Sequence, residues 1–165
     1  MKPALRALSL VLGISVVWLF APSIASSQEY SHARIVRLSF VEGTVTVQKQ
    51  DVAEWATAFV NTPLQEGFKV STAEDGFAEM EFENASTARL GQQTLVELVQ
   101  LVLKPSGGKI NRLRLHQGYA TFNFTPENDD FYEVTAGEAT LTPRGKARFR
   151  LDMEEGLLLV KVFKG

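Results

Sequence analysis

Three carboxylates spaced two residues apart, Glu79, Glu81 and Glu83, form the densest group of reactive side chains in the 165-residue sequence. A pair of carboxylates can cleave a glycosidic bond, one as acid and the other as nucleophile or base. Residues two apart on a strand share one face, however, and such a row more often meets opposite charges on a neighbouring strand. Arg112 with Arg114, and Arg148 with Arg150, form basic rows of the same spacing. His116 stands beside the first basic row and His32 lies near the N-terminus. Two isolated histidines without clustered carboxylates do not make a metal site, so no metal and no cofactor is expected. The chain has no cysteine. Thiol chemistry, disulfides and a Cys-linked lipid anchor are thereby excluded. No Gly-x-Ser-x-Gly turn is present either. Asn84-Ala85-Ser86 and Asn123-Phe124-Thr125 match glycosylation acceptors, a short pattern that reads here as a chance match. This inventory points away from an enzyme.

The elements that must position these residues are short strands. Between Asn61 and Gly91 three turn signals, Glu66-Gly67, Asp75-Gly76 and Asn84-Ala85-Ser86, separate runs of alternating apolar residues. Those runs are Phe68 and Val70, then Ala78, Met80 and Phe82, then Ala88 and Leu90. Period two, with Gly, Asp or Asn at each interruption, predicts consecutive antiparallel strands with tight connections. Upstream, Val36, Leu38 and Phe40 face one way; Val41-Glu42-Gly43 turns the chain into Val45 and Val47, which predicts a hairpin. Trp55 and Phe59 fit one turn of helix or a strand between loops.

The segment from Gln93 to Lys104 is ambiguous. Leu95, Leu98, Val99 and Val102 suit a helical face, whereas Leu95, Glu97, Val99, Leu101 and Leu103 suit a strand. Its β-branched content and the Pro105-Ser106-Gly107-Gly108 sequence after it favour the strand. Leu113 and Leu115 alternate with Arg112, Arg114 and His116; Gln117-Gly118 turns; Ala120, Phe122 and Phe124 follow. Runs over 131–135, 138–142, 147–151 and 157–163 complete the pattern. About 11–12 short antiparallel strands predict an all-β fold, a β-sandwich or a rolled two-sheet sandwich. A sheet with one wet face buries too little apolar surface to offset the entropy of ordering, so a second layer is required. The inward set holds no ionisable residue, so a polar reaction chamber inside is not expected.

Two features suit binding. Trp55, Phe77, Tyr119 and Tyr132 fall off the inward register and could form a patch for a sugar or a protein, or pack against loops. The run Leu157–Phe163 could pair, at a sheet edge, with a strand from a partner, or simply close the sheet.

Lys2 and Arg6, the apolar run 8–21, Pro22 and the small residues Ser23-Ile24-Ala25 read as a signal peptide over 1–25. An uncleaved inner-membrane anchor over 8–21 is the alternative; it falls short of the roughly 20 residues that span a bilayer. Residues 26–34 read as a flexible lead-in and 35–165 as one domain. The chain has 17 Lys and Arg against 19 Asp and Glu. Without Lys2 and Arg6 the balance is 15 against 19, a net charge of −4, which disfavours nucleic acid as a partner.

The order of these motifs is similar to that of the FecR-like domain family. Leu64-Gln65-Glu66-Gly67, Val70-Ser71-Thr72, Asp75-Gly76, Ala78 to Phe82, and Asn84 to Gly91 resemble the family's core. Val41 to Val45 resembles its opening, and His116-Gln117-Gly118 and Thr140 to Phe149 its closing half. The resemblance covers roughly residues 35 to 163. It implies an all-β, non-catalytic module outside the cytoplasm, periplasmic or secreted, that contacts a protein of the cell envelope. Members of this family relay transporter state to a sigma factor in uptake regulation. Here a signal peptide stands where those regulators carry a cytoplasmic segment and membrane helix. A carbohydrate-binding module built on the four aromatics is the other reading.

Overall fold

In the computed structural model of the chain, the described residues are 34–127, 129–154 and 156–165. The expected leader, the alternative anchor and the lead-in up to residue 33 lie outside them. The fold is all-β, with no helix among the described residues. The first strands are β1 (Val36–Glu42), β2 (Val45–Gln48), β3 (Trp55–Thr57), β4 (Pro63–Leu64), β5 (Lys69–Thr72), β6 (Phe77–Glu81) and β7 (Thr87–Leu90). They are followed by β8 (Leu95–Leu103), β9 (Lys109–Phe124), β10 (Phe131–Ala136), β11 (Ala139–Leu141), β12 (Ala147–Glu154) and β13 (Leu157–Lys164). All thirteen belong to one hydrogen-bonded sheet with the main order β3-β2-β5-β8-β9-β7-β6-β1-β4.

β9 is the hinge of this sheet. Its first half pairs with β8 as far as Gln117, and its second half pairs with β7 and β12 from Gly118 onward. The Gln117-Gly118 step, expected to reverse the chain, therefore bends a single continuous strand. At about 3.3 Å per residue, Ile110 to Phe124 would extend about 46 Å if straight. Yet Phe131 pairs with Ile110, and the chain from Phe124 to Phe131 can reach at most about 25 Å. β9 must fold over, and the sheet curls with it. Gly118 takes φ +76°, and a Cβ there would sit 2.5 Å from the Gln93 carbonyl and from Thr94 Oγ1. Only glycine fits that corner.

The return through β10 makes the β9–β10 pair parallel, an exception in an otherwise antiparallel sheet. Several expected hairpins are also absent. β1 pairs with β4 and β6, while β2 pairs with β3 and β5. The Glu42-Gly43 step thus carries the chain from one half of the curled sheet to the other. Asp75-Gly76 does the same between β5 and β6. The two crossings are tied together: the Ala73 amide donates to the Thr44 carbonyl at 2.9 Å, and the Thr44 amide donates to Asp75 Oδ1 at 3.2 Å. Asn84-Ala85-Ser86 does join a hairpin, β6 to β7.

Trp55 lies on a strand rather than a helical turn, and the ambiguous segment 93–104 is the strand β8. Its buried residues, however, are Val96, Leu98 and Leu101; of the odd-numbered set that strict alternation selects, only Leu101 is among them. Irregularities at Leu95/Val96 and Leu98/Gln100 shift the register; each inserted residue turns the following side chains over. A like shift between Leu38 and Phe40 puts Phe40 outside and leaves Val41 to pack against the core.

The core collects inward residues from both halves of the sheet. Val45, Val70, Val96, Leu113 and Leu115 come from one half, and Leu38, Met80, Leu90, Phe122 and Leu151 from the other. Each such side chain contributes roughly 1.5–3 kcal/mol when fully buried. An aromatic cluster fills one end. Phe124 stacks on Tyr132 with centroids 4.3 Å apart, and Phe122 stacks on Phe149 at 5.2 Å. Arg34, at the end of the expected lead-in, is also buried and tied in, so the interior does hold an ionisable residue.

Candidate functional site

The carboxylate row lies on one face of β6 and just beyond it, and each member meets an arginine from another strand or strand end. Glu81 faces Arg37 of β1 across the sheet at 2.5 Å, and Glu79 faces Arg89 of β7 and takes a bond from Ser39 Oγ at 2.8 Å. Burial pushes the Glu79 carboxyl up, but bonds from Arg89 and Ser39 outweigh it and hold the group below the ordinary carboxylate range. A general acid needs the opposite shift. Glu83 receives two bonds from Arg34, at 2.9 and 2.5 Å. The third Arg34 nitrogen donates to the Ile110 carbonyl and to Asn111 Oδ1, at 3.1 and 2.9 Å. The row is a set of cross-strand ion pairs that ends in a buried clamp.

His116 lies 2.7 Å from Glu97, and His32 is outside the described residues. Asn84, the first glycosylation match, has both ends of its amide committed. Its nitrogen donates to the Thr125 carbonyl and Asp130, and its oxygen accepts from the Tyr132 hydroxyl and the Ser86 amide.

The four aromatics proposed as a patch are dispersed. Tyr132 is 1 % exposed: it points inward with Val134 and Ala136, and its hydroxyl is satisfied by Asn84 at 2.9 Å. Burial raises its phenol above the ordinary range. Alternation with Glu133 and Thr135 is the signal that marks Tyr132 as inward. Tyr119 lies on the outer face of β9, with the Arg150 guanidinium 4.0 Å from its ring centroid. Gly91 meets the ring from elsewhere; a Cβ there would collide with it. Phe77, half-buried on β6, lines a shallow hollow with Phe40 and Leu90. Trp55 is 43 % exposed on β3, at the far end of the strand order from β6. No two of these residues line the same concavity among those described.

Tyr119 and Arg150 border an open cleft of about 790 Å³, with Thr72, Gln92, Gln117 and Asp152 among its lining. Its floor is the sheet's corner. Thr72 Oγ1 donates to the Gly91 carbonyl at 2.6 Å and accepts the Thr94 amide at 2.9 Å. Thr94 Oγ1 in turn accepts the Tyr119 amide at 3.0 Å, beside Gly118. Threonine, the two glycines and the bend of β9 thus form one hydrogen-bonded unit.

β13 is an edge strand, as are β3, β4 and β11, and at eight residues it is the longest of the four. It pairs only with β12, and its outer edge carries backbone groups without a strand partner among the described residues. Leu157 is 78 % exposed, Val162 67 % and Phe163 57 %; Leu159 and Val160 are also exposed. In the register with β12, Leu158 and Val160 share the face of Met153 and Leu151, while Leu157 and Leu159 share that of Glu154 and Asp152. Apolar side chains therefore stand uncovered on both faces of a free edge, the arrangement that natural sheets avoid unless the edge is used.

A curled, all-β sheet with its carboxylates held in ion pairs and one apolar edge left open defines the class of domain. The chain belongs to the FecR family: the family model described as FecR protein matches residues 68–165. That match runs from β5 through β13, and takes in Thr72, Gly91, Gly118 and the open edge. No curated protein and no solved structure matches the chain.

Proposed function

We propose that the chain is a non-catalytic binding and sensing module of FecR type, periplasmic or secreted, that acts by contact with an envelope protein in uptake or signalling regulation. The open edge of β13 carries this reading. An edge strand with uncovered apolar residues on both faces offers backbone groups for pairing and side chains for packing at once. Family membership supports a regulatory role in the envelope, and the acidic balance of the chain after the leader disfavours a polyanion as the partner. The two halves of the sheet, joined through β9 and sharing one core, are read as the layers of a rolled sandwich that leaves its exterior to act.

A carbohydrate platform is the weaker reading, because Tyr132 is internal and Tyr119 is covered by Arg150. The test is a pull-down from envelope extract with the wild type and a Leu159→Asp, Val162→Asp variant. Both positions are exposed, so the variant should keep its melting temperature. A partner recovered by the wild type and lost by the folded variant is the expected result. Equal recovery by both, or none above background, removes the reading.

A further inference from the structure

The charge around β13 narrows what it pairs with, given that it works by protein contact. Arg144, Lys146, Arg148, Lys161 and Lys164 make no ion pair among the described residues; elsewhere in that set only Lys49 and Lys69 are so placed. Five of the seven thus lie on the β12–β13 hairpin or immediately before it. Arg148 and Lys164 stand directly opposite one another, and Arg150 stands opposite Lys161. Asp152 answers Arg150 at 2.5 Å, whereas Arg148 lies over the Phe163 ring at 5.5 Å with no carboxylate partner. Like charges placed opposite across a ladder cost stability. This edge is therefore apolar and cationic together, on a domain that is acidic as a whole.

We propose that β13 accepts an extended partner segment as one more strand of the sheet, and that this segment alternates apolar with acidic residues. The apolar positions would lie beside Val160 and Val162 on one face, and the carboxylates on the other, beside Lys161 and Lys164 and on the side of Arg148. A second copy of this chain fits less well, since antiparallel self-pairing adds two more lysines to the same edge. An anionic membrane surface also fits less well, since it covers one face of a strand and β13 is apolar on both.

The full chain is titrated into a fluorescently labelled peptide of about eight residues alternating valine with glutamate, a length matched to an edge strand. Fluorescence polarisation should show saturable binding. Replacing glutamate by lysine in the peptide should weaken it about tenfold or more. N-methylation of the peptide's pairing amides should abolish it. The Lys161→Glu, Lys164→Glu variant should reverse the charge preference and keep its fold, because a carboxylate in place of the Lys164 ammonium faces Arg148 with the opposite charge.

Equal binding of the two peptides, or undiminished binding after N-methylation, overturns the assignment. So does a dimer in sedimentation that excludes the peptide, or adsorption to phosphatidylglycerol vesicles without peptide binding. If the Leu159→Asp, Val162→Asp variant loses its envelope partner while no charge preference is found, protein contact stands and only the acidic strand is removed.

Discussion

Thr72, Gly91, Thr94 and Gly118 show how little of a family-like motif need be chemistry. Each sits where the sheet turns its corner, and each is required by a backbone bond or by space too small for a Cβ. The carboxylates follow the same logic. Glu79 resembled half of a catalytic pair in sequence; in the fold it is an acceptor for Arg89 and Ser39. Because its carboxyl is held below the ordinary range, it stabilises the fold fully above the unfolded-state value, and that contribution is lost as pH falls through the lower folded-state value. Thermal unfolding measured across the acid range should therefore show stability falling with pH, with a shallower fall in Glu79→Gln. An unchanged acid limb in that variant would contradict the assignment. The pairing itself could not be read from the sequence, because Arg89 meets Glu79 only once the β6–β7 register is set, and Arg37 and Arg34 come from a distant segment.

Strand alternation is a reliable guide until an extra residue enters the ladder. The inward faces of β6, β7 and the second half of β9 follow the apolar pattern without exception, from Ala78 to Phe124. In β1 and β8 the pattern breaks at the register shifts, so that Phe40 emerges and burial in β8 passes from Val96 and Leu98 to Leu101; Leu103, the last residue of the strand, is exposed. Leu101→Ala should then cost about 3 kcal/mol, as for a buried leucine, and Leu103→Ala less than about 1 kcal/mol. Chemical denaturation of the two variants decides it, and equal losses would contradict the burial of Leu101 and the exposure of Leu103. Tyr132 was legible and misleading at once. It alternates with Glu133 and so belongs inside, yet its hydroxyl reads as polar until Asn84 is found to satisfy it.

For the molecule as a whole, the strand order matters more than the strands. β1 to β4 precede the family match, but β1 is paired along β6 and β2 along β5. A fragment of residues 68–165 would uncover Val70, Ala78 and Met80, which are buried in the intact fold. Such a fragment should lack a cooperative thermal transition, whereas residues 34–165 should unfold in one step as followed by near-UV dichroism. A cooperative transition in the shorter fragment would show that the first four strands are dispensable.

The sequence by itself determined that the chain is all-β, roughly where each strand runs, which side chains of the unbulged strands are inward, and which family it resembles. These depend on local chemistry: period two, turn residues and the absence of any helical stretch between breaks. Only the tertiary structure decided which strands are neighbours, that β9 bends where a turn was expected, and that the hydrophobic terminal strand is left at an open edge. Those outcomes depend on contacts between residues far apart in the chain, where one glycine at positive φ or one extra residue in a ladder redirects everything after it.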